Sequence, residues 1–303
     1  MMSSGAGMKF SEVPCPVCAA NDYDVVFPDT LGPRPPVFGY KWVPEIRNMY
    51  RAVRCRACAH VYSSPRLDNM YAYYTDVVDE SYLANDQLRR ETAEIVLQTL
   101  RQFAPSGKLL DVGCSTGDFL MVAKKYYDVE GLELSDWAAE IARKQGLTVH
   151  VEKLEQLVQA KPLYDVATMW GVIEHLEHPA TEARHINRLL RTGGIVTLWT
   201  GDSDSIYARL LGQRWWYILG QHIQFFNWRS LDRLMHDCGF VRVHKGVYPY
   251  VISFKYLGIS MSRYRGIGAV ARTAFHLLGL NNRRFVLKKS DEMFAVYRKV
   301  RDV

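Results

Sequence analysis

Long apolar runs are missing from this sequence. No stretch approaches the roughly 18 uninterrupted apolar residues of a membrane span, and the start of the chain has no apolar run of signal-peptide length. These absences predict a cytoplasmic protein whose cysteines stay reduced. Apolar residues nevertheless make up 48% of the 303 residues, which is ample for a buried core.

Internal repeats, low-complexity tracts and a strong charge imbalance are also missing. The net charge of +6 is too weak by itself to indicate a nucleic-acid partner. The N-terminal part has no basic stripe interleaved with aromatic residues, so nucleic acid is not an expected partner.

Cysteine is scarce, with six residues, and four of them form two C-x-x-C pairs. Cys15 and Cys18 form the first pair, and Cys55 and Cys58 form the second. In a reducing compartment, four thiolates with this spacing suit one structural zinc ion, held tetrahedrally with no open position for water. A redox pair is the alternative, although one C-x-x-C would suffice for it. The two remaining cysteines are expected to be buried packing residues.

From Lys108 onward, short apolar strands alternate with amphipathic helices, after a first predicted helix over 86–103. The strands are predicted at 109–112, 129–133, 147–151, 164–170, 194–200, 240–248 and 292–300, with helices near 117–127, 136–145 and 179–191. This alternation predicts an α/β fold with a parallel sheet covered by helices on both faces.

The turn after the first of these strands reads DVGCSTG, from Asp111 to Gly117. Gly113 and Gly117 allow a sharp turn and a close approach to a ligand. The helix that follows directs free N–H groups into the same crevice. The G-x-x-x-G spacing, with an acid two residues before the first glycine, differs from the dinucleotide fingerprint and favours S-adenosylmethionine over NAD. A tight turn without a ligand is the alternative.

Glu133 ends the second strand, about twenty residues after the glycine turn, where nucleoside-binding folds place a ribose-binding acid. A carboxylate at this place can accept hydrogen bonds from both ribose hydroxyls. The alternative is an acid that contacts only solvent. Together with the glycine turn, Glu133 favours a ligand that contains a nucleoside.

Four sequence motifs occur in order within about residues 85–245: LLDVGCSTGDFL, VEGLELS, YDVATMWGVIEHLEHP and LLRTGGIVTLWT. They resemble the successive motifs of the class I S-adenosylmethionine-dependent methyltransferases. The resemblance implies a Rossmann-like, doubly wound, mostly parallel sheet of seven strands whose last strand is antiparallel. It also implies a set of cofactor-binding residues: Asp111, Gly113, Cys114 and Gly117 at the methionine end, Glu133 and Leu134 at the ribose, and Trp170 and Gly171 beside the methyl-transfer channel. The adenine contact is left open, with Glu152 as a candidate.

The N-terminal part resembles a narrower bacterial group. A head with cysteine pairs, then Ser64-Pro65-Arg66, then the segment from Tyr71 to Tyr82 is similar to enzymes of sugar and surface-polysaccharide modification. Zinc-bearing C-methyltransferases of deoxysugar synthesis share this head but carry a large further C-terminal domain. The resemblance implies a small zinc-binding subdomain and connector over 1–82, a methyltransferase domain over 83–303, and O-methylation.

Methylation of a hydroxyl requires a group that removes its proton, and histidine suits this task near neutral pH. His175 and His222 are the candidate general bases, each with a structural role as the alternative, whereas His178 is expected to be structural. His222 lies in an aromatic excursion over 201–227. The rings of this excursion either stack on an acceptor or form a buried cap: Trp215, Trp216, Tyr217, Phe225 and Phe226. Beyond the histidines, Tyr74 and Tyr82 are the next candidate bases.

The segment 251–290 contains eight basic residues and no acid: Lys255, Arg263, Arg265, Arg272, Arg283, Arg284, Lys288 and Lys289. The rest of the chain carries 30 Lys and Arg against 32 Asp and Glu. The middle of the segment has an apolar helical face through Ile267, Val270, Ala271, Ala274, Phe275 and Leu278. Such a helix can lie on an anionic membrane or grip a diphosphate. The alternative is a helix packed on the core with its charges in water.

These observations predict an S-adenosylmethionine-dependent methyltransferase that O-methylates a sugar, whether nucleotide-linked, lipid-linked or in a polysaccharide. Two alternatives are a methyltransferase for a small aromatic or polyketide-like acceptor, and a non-catalytic zinc-containing binding module. The intact set of Asp111, Gly113, Gly117 and Glu133 argues against the binding module. The expected partner is a small molecule or glycan, and the expected location is the cytoplasm, with peripheral contact to the inner face of the membrane through 251–290.

Overall fold

The computed structural model describes residues 9–39, 43–160, 163–261 and 266–303. Two short groups of strands and one large sheet are formed, with these strand bounds: β1 Phe10–Ser11, β2 Tyr23–Phe27, β3 Ala52–Cys55, β4 Val61–Ser63, β5 Arg66–Leu67, β6 Lys108–Val112, β7 Asp128–Leu132, β8 Thr148–His150, β9 Tyr164–Trp170, β10 Leu190–Gly201, β11 Gln224–Phe225, β12 Phe240–Ser253 and β13 Arg284–Lys299. In the described part of the chain, no helix has the length and apolar character needed to span a membrane.

The α-helices are α1 Glu80–Leu83, α2 Asp86–Leu100, α3 Asp118–Ala123, α4 Asp136–Lys144, α5 Leu154–Gln159, α6 Pro179–Leu189, α7 Ile206–Leu211, α8 Trp228–Asp237, α9 Phe254–Ser260 and α10 Ile267–Leu277. Apolar side chains of α2, α3 and α4 form one core with the sheet. Those of α5, α6 and α8 form another core with different sheet residues. The helices thus cover both faces of the sheet, as the alternation of strands and helices predicts.

Seven strands form the large sheet in the order β12-β13-β10-β9-β6-β7-β8. The pairs that join β10, β9, β6, β7 and β8 are parallel, and β13 runs antiparallel to β10 and β12. The predicted mostly parallel seven-stranded sheet with an antiparallel last strand is therefore confirmed. It brings the carboxyl ends of five strands to one edge, where ligands of such folds bind.

The strands β12 and β13 are longer than the sequence predicts. Gly201, at the carboxyl end of β10, pairs with Glu292 of β13. Residues 284–291 of β13 and their partners in β12 therefore extend past the carboxyl edge of the parallel strands. The basic segment 251–290 thus begins and ends in this extension and carries α9 and α10 between its two ends.

Candidate active site

A cavity of about 180 Å³ lies at the carboxyl edge of the sheet. Five of the eight predicted cofactor-binding residues line it: Gly113, Glu133, Leu134, Trp170 and Gly171. The other three, Asp111, Cys114 and Gly117, are not on the cavity wall; they belong to the strand end and turn that shape it. One part of the predicted set thus borders the cavity directly, while the other part supports it.

The glycine turn has the conformation that its sequence requires. Gly113 and Gly117 both adopt left-handed backbone angles, with φ of 71° and 84°. A Cβ at Gly113 would lie 2.7 Å from the side chain of Val172, and one at Gly117 would lie 2.4 Å from that of Leu147. Ser115 is also left-handed, with φ of 48°, at a position where a non-glycine residue is uncommon.

Glu133 links the segments that follow β6 and β7 through hydrogen bonds. Its Oε2 accepts a hydrogen bond from the backbone N–H of Ser115 at 2.9 Å, and its Oε1 accepts one from Ser135 at 2.8 Å. Burial raises the pKa of the Glu133 carboxyl, while these backbone N–H groups lower it. A carboxylate has about four lone-pair positions, so with the backbone N–H groups of Ser115, Ser135 and Leu134 bonded to it, Glu133 retains capacity for a ribose hydroxyl.

Asp111 lies buried beneath the turn, where the hydroxyl of Thr168 donates a hydrogen bond to it. Burial raises the pKa of the Asp111 carboxyl to about 8, and the charge of Glu133 adds to this shift. A positively charged ligand in the cavity would favour the ionised form of both acids. Cys114 is buried and packs against Gly131, where an added Cβ would lie 2.5 Å from its sulfur.

The structure separates the two candidate bases. His175 lines the cavity, whereas His222 does not, is 6% exposed, and has its ring centre 4.7 Å from that of His175. Nδ1 of His175 lies 3.0 Å from the carbonyl oxygen of Gln221, and Nδ1 of His222 lies 2.8 Å from that of Tyr217. A carbonyl can only accept, so Nδ1 of His222 carries a proton, and in the neutral ring its lone pair is on Nε2. Nδ1 of His175 also faces the hydroxyl of Tyr74, which can donate or accept.

Burial lowers the pKa of His175 to about 4, and burial together with the charge of His175 lowers the pKa of His222 well below its usual range. Both rings are therefore neutral near pH 7. His178, expected to be structural, is exposed at the residue before α6.

Glu174 anchors the loop that contains His175 through buried hydrogen bonds. It is 1% exposed, and burial raises the pKa of its carboxyl to about 7. Hydroxyls of Thr200 and Tyr217 bond to the carboxylate. Glu174, His175 and His222 each offer one ligand atom, and these three atoms lie within 4.8 Å of one another. Together with the four paired cysteines, they are the groups of described residues that could hold a metal ion.

The aromatic excursion forms a buried cap. Four of its rings are at most 2% exposed: Trp215, Tyr217, Phe225 and Phe226. Three of them pack against the head residues Met49, Ala52 and Val61, and β11 adds a strand to the head's sheet, in the order β11-β4-β3-β2. Stacking of these four rings on an acceptor is therefore excluded. Trp216 is partly exposed, but Lys289 covers its ring at 3.7 Å.

Residues of the head and the connector complete the cavity: Gly39 in the head, and Tyr71, Tyr74, Val77 and Asp79 in the connector. The hydroxyl oxygen of Tyr74 lies 2.8 Å from Nδ1 of His175. Glu177 accepts hydrogen bonds from the backbone of Asn69 and Tyr71, both at 3.2 Å. The head therefore supplies part of the wall beside the candidate base, a role for which only Tyr74 had been singled out from sequence. Tyr82 does not line the cavity.

Glu152, left open as an adenine contact, lines the cavity together with its neighbours Lys153 and Leu154. Three further residues after β7 also line it: Ser135, Trp137 and Ala138. Both groups follow strand ends at the carboxyl edge. That position is the signal in the sequence that identifies them.

The four paired cysteines meet in the head. Sulfur atoms of Cys15 and Cys58 lie 3.5 Å apart, as do those of Cys18 and Cys55, and all four lie within 4.8 Å of one another. A tetrahedral zinc with Zn–S bonds of about 2.3 Å requires sulfur separations of about 3.8 Å. Ala19 and Ala59 follow the pairs in matching left-handed turns, with φ of 60° and 62°. The donor set and its spacing thus fit a zinc ion.

The sequence is similar to those of known proteins. Residues 84–245 match a family model described as a methyltransferase domain. The chain is 26% identical to an uncharacterized protein of Methanocaldococcus jannaschii over 48% of this chain and 68% of that protein. It is 30% identical to a ubiquinone biosynthesis O-methyltransferase of Alkalilimnicola ehrlichii over 46% of this chain and 63% of that enzyme. For the counterpart from Pectobacterium carotovorum the match spans 41% of that enzyme's length.

Solved structures share the fold. An S-adenosylmethionine-dependent methyltransferase from Archaeoglobus fulgidus has a TM-score of 0.51 and 17% identity, over 73% of this chain and all of that one. A chain of the complex between a Haloferax volcanii methyltransferase and its Trm112 activator has a TM-score of 0.52 and 14% identity, over 78% of this chain and all of that one.

Proposed function

Because this chain belongs to the S-adenosylmethionine-dependent methyltransferase family, we propose that it transfers a methyl group to a hydroxyl of a sugar, with His175 as the general base. The observation that carries this proposal is the position of His175. It is a neutral imidazole on the cavity wall, beside the predicted cofactor residues and in contact with Tyr74 of the connector. The family membership also removes the alternative of a non-catalytic binding module.

The residues around the cavity fit S-adenosylmethionine. The left-handed turn at Gly113 leaves no room for a side chain, Glu133 retains acceptor capacity for a ribose hydroxyl, and the buried indole N–H of Trp170 has no partner among the described residues. We propose that Glu133 and Leu134 hold the nucleoside and that Asp111, Cys114 and Gly117 shape the turn at the methionine end. When bound, the cofactor supplies an electrophilic methyl group on its sulfonium.

We expect Glu133→Ala to lower the affinity for S-adenosylmethionine about tenfold to a hundredfold. One lost charge-assisted hydrogen bond costs roughly 1.5–3 kcal/mol. Titration calorimetry measures the effect. Glu155→Ala, which removes an exposed acid of nearby α5, is the matched control and should bind normally. Unchanged affinity in the Glu133 variant would place the nucleoside elsewhere.

We propose that Nε2 of His175 takes the proton, with the ring's own proton on Nδ1. The carbonyl of Gln221 fixes the ring orientation through Nδ1, and Tyr74 lies against the same nitrogen. His222 packs edge-on against this ring at 74° and is a positioning residue in this scheme. The acceptor hydroxyl can then lose its proton to a group that is already in place.

The low pKa of His175 predicts the pH dependence of turnover. A base must be deprotonated to act, so turnover is lost as the pH falls through the pKa of about 4 and is complete above it. We expect kcat/KM, which reports the pKa values of the free enzyme, to be level from about pH 8 to about pH 5. Glu174→Gln is the control. If ionisation of Glu174, whose pKa is about 7, causes a fall in the pH profile, that fall should be absent from this variant. A limb near 6.5 that persists in Glu174→Gln would contradict the proposal.

A sugar is favoured by the mixed lining of the cavity. Polar residues, namely Asp79, Lys153, Glu182 and Gln221, line it together with aromatic residues, a combination suited to hydroxyls and to the apolar faces of a sugar ring. A small aromatic acceptor is the second candidate, since relatives are named ubiquinone biosynthesis O-methyltransferases. Formation of S-adenosylhomocysteine with nucleotide sugars, compared with catechols of similar size, tests the choice: turnover with catechols alone would replace the sugar.

We propose one structural zinc per chain on Cys15, Cys18, Cys55 and Cys58, supported by the converging sulfur atoms. We propose a cytoplasmic location as well, because four free thiolates for this site require a reducing compartment. We also propose the domain division of 1–82 and 83–303, with excursions at 201–227 and 251–290. Peripheral contact with the inner face of the membrane is proposed for the second excursion.

A further inference from the structure

The extension of β12 and β13 carries α9 and α10 beyond the carboxyl edge of the sheet. This is the edge that holds the cavity. Residues 249–253 pair with 284–288, and Thr92 of α2 accepts the backbone N–H of Val251 at 2.9 Å, which fixes the extension to the core. The two helices are thus a fixed projection at the end of the molecule where an acceptor enters.

Only one side of α10 is covered. Ala271 is buried, and the ring of Phe275 packs on Phe254 with centres 5.1 Å apart. Other apolar side chains of the helix and its C-terminal end are exposed by 51–78%: Ile267, Val270, Leu277 and Leu278. Ile259 of α9 and Val286 of β13 add two more that are about half exposed. Of the apolar face that the sequence indicates, the inner part therefore packs on α9 and the outer part faces outward.

The charges around these side chains have one sign. The segment 251–290 has no Asp or Glu. Arg284 pairs with Glu91, and Lys289 with Glu292. Lys255, Arg283 and Lys288 are exposed and have no ion pair in the described parts of the chain. Arg263 and Arg265 lie outside the described residues.

We propose that this surface, formed by α9, α10 and the ends of β12 and β13, docks the protein on an anionic membrane. Exposed aliphatic side chains among cations are what an interfacial helix needs, because the aliphatic groups enter the lipid while the cations meet the headgroups. A nucleic-acid surface would use the cations but has no use for four exposed aliphatic residues. The docking does not depend on the methyl-transfer chemistry. Its consequence, a lipid-linked acceptor presented at the cavity, rests on the proposed function.

The test is cosedimentation of the full-length protein with phosphatidylcholine vesicles and with vesicles containing phosphatidylglycerol. We expect binding to the anionic vesicles at low salt, weak binding to the neutral ones, and a decline as salt is raised. Two variants probe the two contributions. The first is a triple variant, Lys255→Gln/Arg283→Gln/Lys288→Gln, which removes charges that form no ion pair among the described residues. The second is a double variant, Val270→Ser/Leu277→Ser, which removes apolar contact with the lipid. Each should weaken binding about tenfold or more.

A control with the same loss of charge keeps the test specific. Lys124→Gln/Arg184→Gln/Arg229→Gln removes three exposed cations from other helices or helix ends and should bind vesicles normally. All variants should keep the melting temperature and the affinity for S-adenosylmethionine, which separates docking from cofactor binding. No binding at low salt, equal loss in the control, or retention by RNA but not by vesicles would overturn the proposal.

Discussion

Replacing His175 by alanine should lower turnover by about 10²–10⁴, the range expected when a general base is removed. The physical reason is that the Nε2 lone pair of a neutral imidazole on the cavity wall would be lost, with no other neutral base described at that wall. Affinity for S-adenosylmethionine should change little, because the cofactor contacts lie on the turn and on Glu133. Single-turnover measurements together with calorimetry distinguish the two quantities.

His178→Ala is the matched control, since it removes an exposed histidine three residues away in the same loop. It should leave turnover unchanged. His222→Ala should lower turnover less than His175→Ala does and should shift the acid limb upward, because water entering the vacated space relieves the desolvation of His175. Full activity in both the His175 and His222 variants would point to another base or to an acceptor that needs none.

The large sheet could be predicted because its strands are buried on both faces. The strand at 164–170, for example, is mostly apolar, and such a run predicts a strand buried on both faces. Residues 284–291 gave no such signal. They project past the helices, so exposed and half-buried positions alternate there among basic side chains, and the sequence alone resembles a loop.

The candidate site divides in the same way. Glu133 and Gly113 follow strand ends, and the topology of a parallel sheet brings all such ends to one edge. Tyr71 and Asp79 have no comparable local signal, because their place depends on how the connector crosses that edge. The ranking of His175 over His222 also depends on packing: both lie in polar-aromatic segments, and only the three-dimensional arrangement shows that one ring stands in front of the other.

The aromatic excursion shows why composition could not decide between two roles. Stacking on a ligand and filling a core both require aromatic rings, so Trp215 and Tyr217 suit either. Their hydrogen bonds decide the matter. Trp215 donates to buried Asp291 at 2.7 Å, and Tyr217 bonds to Thr200 at 2.7 Å, so both polar groups are used inside the protein. The excursion thus joins the head to the strand ends beside the cavity.

This joining predicts that the cysteine cluster affects catalysis at a distance. The head's strands span two to five residues each, and so small a unit has a limited core of its own. A structural zinc contributes about 10–16 kcal/mol in zinc-finger peptides, comparable to the entire net stability of a typical domain, about 5–15 kcal/mol. Loss of the metal should therefore unfold the head and release Tyr71 and Tyr74 from the cavity wall.

We expect Cys55→Ser to abolish both zinc retention and turnover, while S-adenosylmethionine affinity falls much less because Glu133 and the glycine turn belong to the large sheet. Metal analysis of protein purified without added zinc should return about one equivalent for the natural chain and near zero for the variant, and proteolysis should cut the variant first within residues 9–82. Cys238→Ser, the same substitution at a buried cysteine outside the cluster, is the control and should keep its zinc. Folded, active natural protein without zinc would contradict the structural role, because the connector would then hold its place beside His175 without the metal.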